Sequence, residues 1–124
     1  MRAENKMKYI SLRRKELILN IRSLLNKPVI RGSLVKVYIN CGRKNCKCQK
    51  GAKHLAYYLS YKKEAKTHLV YIPQKFLKDI REAIRIYKVL KDRLEDLYNL
   101  NKEIFLVRKE LIKRKRRQNY AKKA

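Results

Sequence analysis

Acidic residues are scarce in this sequence beside the basic ones. Ten Asp and Glu stand against 35 Lys and Arg, leaving a formal net charge of +25. Between residues 32 and 72 the single acid is Glu64. No Ser/His/Asp arrangement and no Gly-rich phosphate loop occurs, and cysteine chemistry would have no evident base except His54, so the sequence reads as a non-enzyme. Long apolar runs are missing too, with no stretch of 18 or more residues to cross a bilayer. The first residues, Met1-Arg-Ala-Glu-Asn-Lys6, are polar and charged, and no apolar signal region follows them. Cysteine is limited to three residues crowded into eight positions. An odd, clustered set is a poor disulfide framework and points to a reducing compartment, with a cytoplasmic location expected and association with the nucleoid open to it.

What the chain has in excess is positive charge. Held in one fold, like charge repels itself. A polyanion relieves that repulsion, because each neutralised phosphate releases condensed counterions. Nucleic acid, DNA or RNA, is therefore the first partner to expect.

Glycine and proline divide the chain into segments. There are three glycines and two prolines, and none of them falls between Gln74 and Gln118. Ile10, Leu17, Ile18, Ile21, Leu24 and Leu25 recur at helical spacing, so residues 1–31 are expected to hold an amphipathic helix stopped before Pro28. Asn5 or Ser11 would cap its start. Residues 32–72 read as a β-module of three strands, Leu34–Ile39, Leu55–Tyr61 and Thr67–Ile72, rich in β-branched and aromatic residues. Lys62–Lys66 has hairpin length.

Period-two alternation assigns Val35, Val37, Ile39, Leu55, Tyr57, Leu59 and Tyr61 to a buried face. Lys36, Tyr38, Tyr58, Ser60 and Lys62 fall on the other. Strand three is ambiguous between Leu69/Tyr71 and Val70/Ile72.

From Pro73 a long helix is expected to about residue 118, followed by a basic tail at 119–124. Its apolar seam runs Ile80, Ala83, Tyr87, Leu90, Leu94, Leu97, Asn101, Ile104, Arg108 and Leu111, apolar at eight of ten positions. Asn101 is a residue type that sets register in such seams. A helix of this length outruns the first helix, so Leu94 to Leu111 is expected to need a partner: a homodimer, or a larger complex. The class is thus α+β: an N-terminal helix, a small three-stranded antiparallel zinc-clasped sheet and a long coiled-coil-like helix.

The clasp is inferred from Cys41-Gly-Arg-Lys-Asn-Cys46-Lys-Cys48 followed by His54. Zinc takes four ligands in a tetrahedron, and thiolates and imidazole are preferred donors. Cys41, Cys46, Cys48 and His54 supply that number, and His68 is an alternative fourth ligand. Such a structural Zn2+ site is closed and implies no catalysis. Gly42 and Gly51 ease the turns, and Arg43, Lys44, Lys47, Lys50 and Lys53 favour thiolates. Plain thiols, redox-active cysteines and an iron–sulfur cluster are the competing readings.

The run Arg31-Gly-Ser-Leu-Val-Lys36, the Cys-Gly-Arg-Lys-Asn-Cys-Lys-Cys cluster, His54-Leu-Ala-Tyr-Tyr-Leu-Ser-Tyr61 and Val70-Tyr-Ile-Pro73 resemble a family of small, basic bacterial and archaeal proteins classed as a domain of unknown function. The resemblance covers about residues 31–100 and implies the same order of strand, cysteine cluster, Tyr-Tyr pair and long charged helix. This chain has Leu55-Ala56 where Gly-Pro is expected. The tyrosine-rich hairpin is also similar to the three-stranded arm-binding modules of phage-type integrases, an analogy that makes contact between a sheet face and DNA plausible.

Phosphate contacts are expected from the metal-loop cations Arg43, Lys44, Lys47, Lys50 and Lys53. A sheet face carrying Lys36, Tyr38, Tyr58, Lys62 and Lys66, and a C-terminal arm of Lys113, Arg114, Lys115, Arg116 and Arg117, would add to them. Tyr57, Tyr61 and Tyr71 are expected in the core, and Tyr38 and Tyr58 are evenly poised. The competing function is a coiled-coil scaffold or adaptor docking on an acidic protein partner.

Overall fold

In the computed structural model, residues 2–40 and 53–123 are described. The elements are α1 (Ala3–Leu25), β1 (Ser33–Ile39), β2 (His54–Lys63), β3 (Lys66–Ile72), a 3-10 turn (Gln74–Phe76) and α2 (Leu77–Lys123). The α+β order expected from sequence is what the chain adopts. It forms two compact units, residues 1–27 with 89–124 and residues 28–88. One helix, α2, contributes to both.

In the first unit α1 runs antiparallel to the distal part of α2. Ala3, Ile10 and Val107 are buried together, and Met7, Leu100, Ile104 and Leu111 pack against them. Burying an Ile, Leu or Val side chain contributes roughly 1.5–3 kcal/mol, so this stripe is the main adhesive between the helices. Two exposed polar pairs also link the helices. Arg14 Nε donates to Asn101 Oδ1 at 3.0 Å, and Arg93 Nε donates to Asn20 Oδ1 at 3.2 Å. The distal half of α2 therefore has its partner inside the chain. Length alone suggested otherwise, because it did not reveal that α1 folds back along residues 89–111. Asn101, in the seam, accepts its hydrogen bond from Arg14 of α1.

The boundaries of α1 also differ from the sequence reading. The helix starts at Ala3 with Arg2 as an extended N-cap that offers no side-chain bond. Asn5 and Ser11 both lie inside the helix. Its C-terminus closes at Asn26, two residues before Pro28, with the Asn26 and Lys27 amides donating to Ser23 and Leu24 carbonyls. At the other end of the chain α2 continues through Lys123 rather than stopping near Gln118. Nothing in Gln118–Lys123 breaks a helix, and cations near a helix C-terminus oppose the negative end of its dipole.

The second unit is an antiparallel sheet in the order β1-β2-β3 with the first turns of α2. Register sets the faces. Val35 pairs with Tyr58, and Tyr58 with Tyr71; Lys36 pairs with Tyr57, and Tyr57 with Ile72. One face thus carries Val35, Val37, Ile39, Ala56, Tyr58 and Tyr71. The other carries Lys36, Tyr38, Leu55, Tyr57, Leu59 and Tyr61. The sequence reading grouped Val35 with Tyr57, which is wrong by one residue. Alternation fixes the two sides of each strand but not which side of the next strand meets them. On β3 the ambiguity resolves at its end, where Ile72 is buried while Leu69, Val70 and Tyr71 are exposed.

Gly32 lies where β1 approaches β2. A Cβ at this position would stand 2.8 Å from the Ser60 carbonyl oxygen and 3.0 Å from Leu59 Cδ1. The backbone oxygen cannot rotate away as a side-chain tip would. Gly32→Ala is expected to lower stability by about 1–3 kcal/mol, read as a lower urea midpoint with an unchanged slope. An unchanged midpoint would show that the approach is looser than this.

The β2–β3 turn is two residues long, Glu64-Ala65, and both have positive φ, 53° and 63°. This is the twist-matched hairpin turn that Asn-Gly fills best. Non-glycine residues in the left-handed region cost roughly 1 kcal/mol each. Replacing the pair by Asn-Gly is expected to stabilise the chain by about 1 kcal/mol, after part of the gain is lost to glycine's greater unfolded freedom. Ala65→Val should shift thermal unfolding the other way, because β-branched residues tolerate this region worst.

Candidate nucleic-acid interface

Three basic surfaces can be built from the described residues. The first is the hairpin tip. β1 begins opposite Ser60, so beyond it β2 and β3 form a two-stranded ribbon. Lys63 lies directly opposite Lys66, and Lys62 opposite Thr67. Like charges placed across from one another destabilise a hairpin, and a phosphate between them removes that cost. Just below the tip, the Tyr61 and His68 rings stack at 5.4 Å with 20° between their planes. Sequence reasoning named Lys62 and Lys66 but passed over Lys63, whose position is set by the turn.

The second surface is the sheet. Lys36 lies beside Tyr57 on one face, and the Arg81 guanidinium sits 5.4 Å from the Tyr57 ring centre. The Ile30 amide donates to the Ala83 carbonyl at 3.2 Å, holding the approach to β1 against α2. Tyr38 is exposed on the same face as Lys36, while Tyr58 lies half-buried on the opposite one. The expected set of Lys36, Tyr38, Tyr58, Lys62 and Lys66 is therefore divided between two faces. Tyr71, assigned to the core from sequence, is 55% exposed and meets Tyr58 edge-on, with centroids 5.7 Å apart. Tyr57 and Tyr61 are partly buried.

The third surface is the end of α2, where Lys113, Arg114, Lys115, Arg116 and Arg117 are all exposed. Arg114 pairs with Glu110 at 3.4 Å across one turn. Two further ion pairs are also exposed and within single helices: Arg13 with Glu16, and Arg85 with Glu82. The last is two-pronged, with Nε and Nη2 donating to the two carboxylate oxygens, and it raises the Arg85 pKa by hydrogen bonding and then by charge attraction. Exposed pairs of this kind add little to stability, because water and salt screen them.

Cys41, Cys46 and Cys48, with Arg43, Lys44, Lys47 and Lys50, lie outside the described residues. Lys53 and His54 are described and exposed. His54 opens β2 opposite Ile39, so the span carrying the cysteines leaves and rejoins the sheet at neighbouring strand ends. His68 stands opposite Tyr61, seven residues along β2 from His54. At about 3.3 Å per residue that is roughly 23 Å away, on the other face of the sheet. Among the described residues no group of three or more His, Cys, Asp or Glu is placed to hold a metal. None of their helices is long and apolar enough to cross a membrane.

This combination of an antiparallel sheet, a back-folded helix and a strongly basic helix end defines a small α+β protein with an unneutralised cationic surface. The chain belongs to the DUF6788 family, a domain of unknown function, whose model matches residues 7–82. The match includes most of α1, the whole sheet and the first turns of α2, and stops short of the basic helix end. It begins earlier than the resemblance at 31–100 and ends sooner. No curated protein and no solved structure matches the chain.

Proposed function

We propose that this chain is a nucleic-acid-binding accessory protein with a structural zinc site, engaging phosphates through a basic loop, a sheet face and a C-terminal arm. One observation carries the reading. Even with every one of its 10 acids paired, 25 of its 35 Lys and Arg have no intramolecular counter-ion. Such a charge excess is relieved most effectively by a polymer of phosphates. The ribbon tip supports the reading, because a two-stranded ribbon is narrow enough to lie in a major groove. We assign zinc ligation to Cys41, Cys46, Cys48 and His54; His54 pairs with Ile39, two residues before Cys41 in sequence, whereas His68 pairs with Tyr61 farther along β2.

A gel-shift comparison of duplex DNA, single-stranded DNA and RNA at two salt concentrations, with heparin as competitor, tests the proposal. Binding that weakens steeply with salt is expected. A well-folded chain that ignores all three at low salt would overturn it.

One observation favours a second reading, that of a scaffold or adaptor. Tyr98, Phe105 and Ile112 are exposed at seven-residue intervals along α2. If this stripe is the working surface, the chain should self-associate in sedimentation, or bind an acidic protein, with affinity indifferent to nucleic acid.

A further inference from the structure

We infer that the face of the sheet bearing Tyr58 and Tyr71 is a base-stacking platform, and that the preferred ligand is a single strand rather than a duplex. This rests on the nucleic-acid reading above and adds the strandedness of the ligand. The platform is a row across all three strands, Val35 to Tyr58 to Tyr71, with Ser33, Ser60 and Leu69 forming the next row. Val35, Leu69 and Tyr71 are 37%, 59% and 55% exposed, so large apolar groups face solvent where a sheet would ordinarily bury them. The two rings meet at 68° with centroids 5.7 Å apart, an arrangement that keeps them from covering each other face to face.

The occupant follows from charge. A chain of net charge +25 selects an anionic ligand, and this face carries Lys62 beyond Leu69, while Lys63 and Lys66 at the ribbon tip belong to the opposite face. A ligand that is both anionic along its backbone and aromatic along its side is a nucleic-acid strand. In a duplex the base faces are already stacked on one another, and the rings would find only phosphates and groove edges. In a single strand the bases are free to stack on tyrosine, in a manner tolerant of sequence because every base has a π-face. The face opposite is less suited, since Ile72 is buried there and Arg81 already lies over Tyr57.

The full chain is titrated, by fluorescence anisotropy at fixed low salt, against labelled oligothymidylate, oligouridylate and a DNA duplex, each about 12 nucleotides long to span one platform. The single strands are expected to bind more tightly than the duplex. Tyr71→Leu keeps apolar bulk but removes the ring, and should weaken single-strand binding about five-fold or more while duplex affinity stays nearly constant. Tyr71→Phe should bind as the parent does. Circular dichroism on each variant checks the sheet, and the exposure of Tyr71 makes both substitutions mild. The platform is overturned if Tyr71→Leu leaves single-strand affinity unchanged or weakens all three ligands alike. If the parent chain binds none of them, the nucleic-acid reading falls as well, and an apolar protein partner becomes the occupant of this face.

Discussion

Raising the salt concentration from about 50 to about 200 mM is expected to weaken nucleic-acid binding by roughly a thousandfold. The size follows from how many cations can reach phosphate at once. At the ribbon tip Lys62, Lys63 and Lys66 are within a few residues of one another. On α2 the run Lys113–Arg117 is longer but less efficient. Successive residues on a helix are turned by about 100°, so five in a row spread around the axis, and one backbone meets about half of them. These two surfaces alone supply six or so contacts, and six contacts correspond to a log–log slope of about −5 on duplex DNA, which any loop cation that also reaches phosphate would steepen.

Deleting residues 113–124 should cut the slope by two or three units and weaken all sequences alike. Selective loss on one sequence would mean that the arm reads bases. The free protein should respond to salt with the opposite sign. Screening reduces the repulsion within a +25 chain, so its unfolding midpoint should rise over the range where its complex dissociates. A complex and a free protein that both weaken with salt would contradict the electrostatic account.

The elements most legible in the sequence were those in which local chemistry and tertiary structure agree. Forty-seven residues of α2 contain neither glycine nor proline, and their apolar residues recur at alternating three and four, the spacing of a helix. The strands were legible from their β-branched and aromatic runs, and Pro73 marked the passage from sheet to helix, through a 3-10 turn in which the Phe76 amide donates to the Pro73 carbonyl at 3.0 Å.

The missed features share one physical cause, which is that they depend on a second element. The apolar seam of α2 showed that a helix would cover it, but α1 and a second copy of the chain would look the same from that seam. The Arg14–Asn101 and Arg93–Asn20 pairs, which join it to α1, are separated by 87 and 73 residues. The parity of β1 against β2 is likewise invisible within either strand, because β2 is apolar on both sides: Leu55, Tyr57 and Leu59 alternate with Ala56 and Tyr58. Had the hairpin turn carried Asn-Gly, its two-residue length would have been readable. Glu64-Ala65 gives no such signal, and with the turn unplaced neither Lys63 nor Tyr71 could be assigned its position. For the candidate site the types of residue were therefore readable, while the division of lysines and tyrosines between two faces was not.

Removal of zinc is expected to have the largest effect on stability. Structural zinc contributes on the order of 10 kcal/mol or more, comparable with the whole net stability of a domain this small. The described sheet shows why this chain would depend on it. Few of its side chains are fully buried, Ala56 and Ile72 among them, and Val35, Leu55, Leu69 and Val70 remain substantially exposed. A clasp uniting residues 41–48 with His54 would tie the β1 and β2 ends together where side-chain burial is thin. Purified protein should therefore carry one zinc per chain by elemental analysis. Cys46→Ser should abolish it and markedly lower the thermal midpoint, whereas His68→Ala should leave the metal in place. Chelator should act on the parent as Cys46→Ser does, and more readily as pH falls, because thiolate and imidazole must be deprotonated to bind and protons compete with the metal. The contribution of a zinc bound there would thus be present at neutral pH and lost on acidification. If the parent is metal-free yet melts as cooperatively as before chelation, the three cysteines are ordinary thiols and the sheet holds without a clasp. If instead the isolated protein carries iron and absorbs in the visible range, the same ligands hold a cluster.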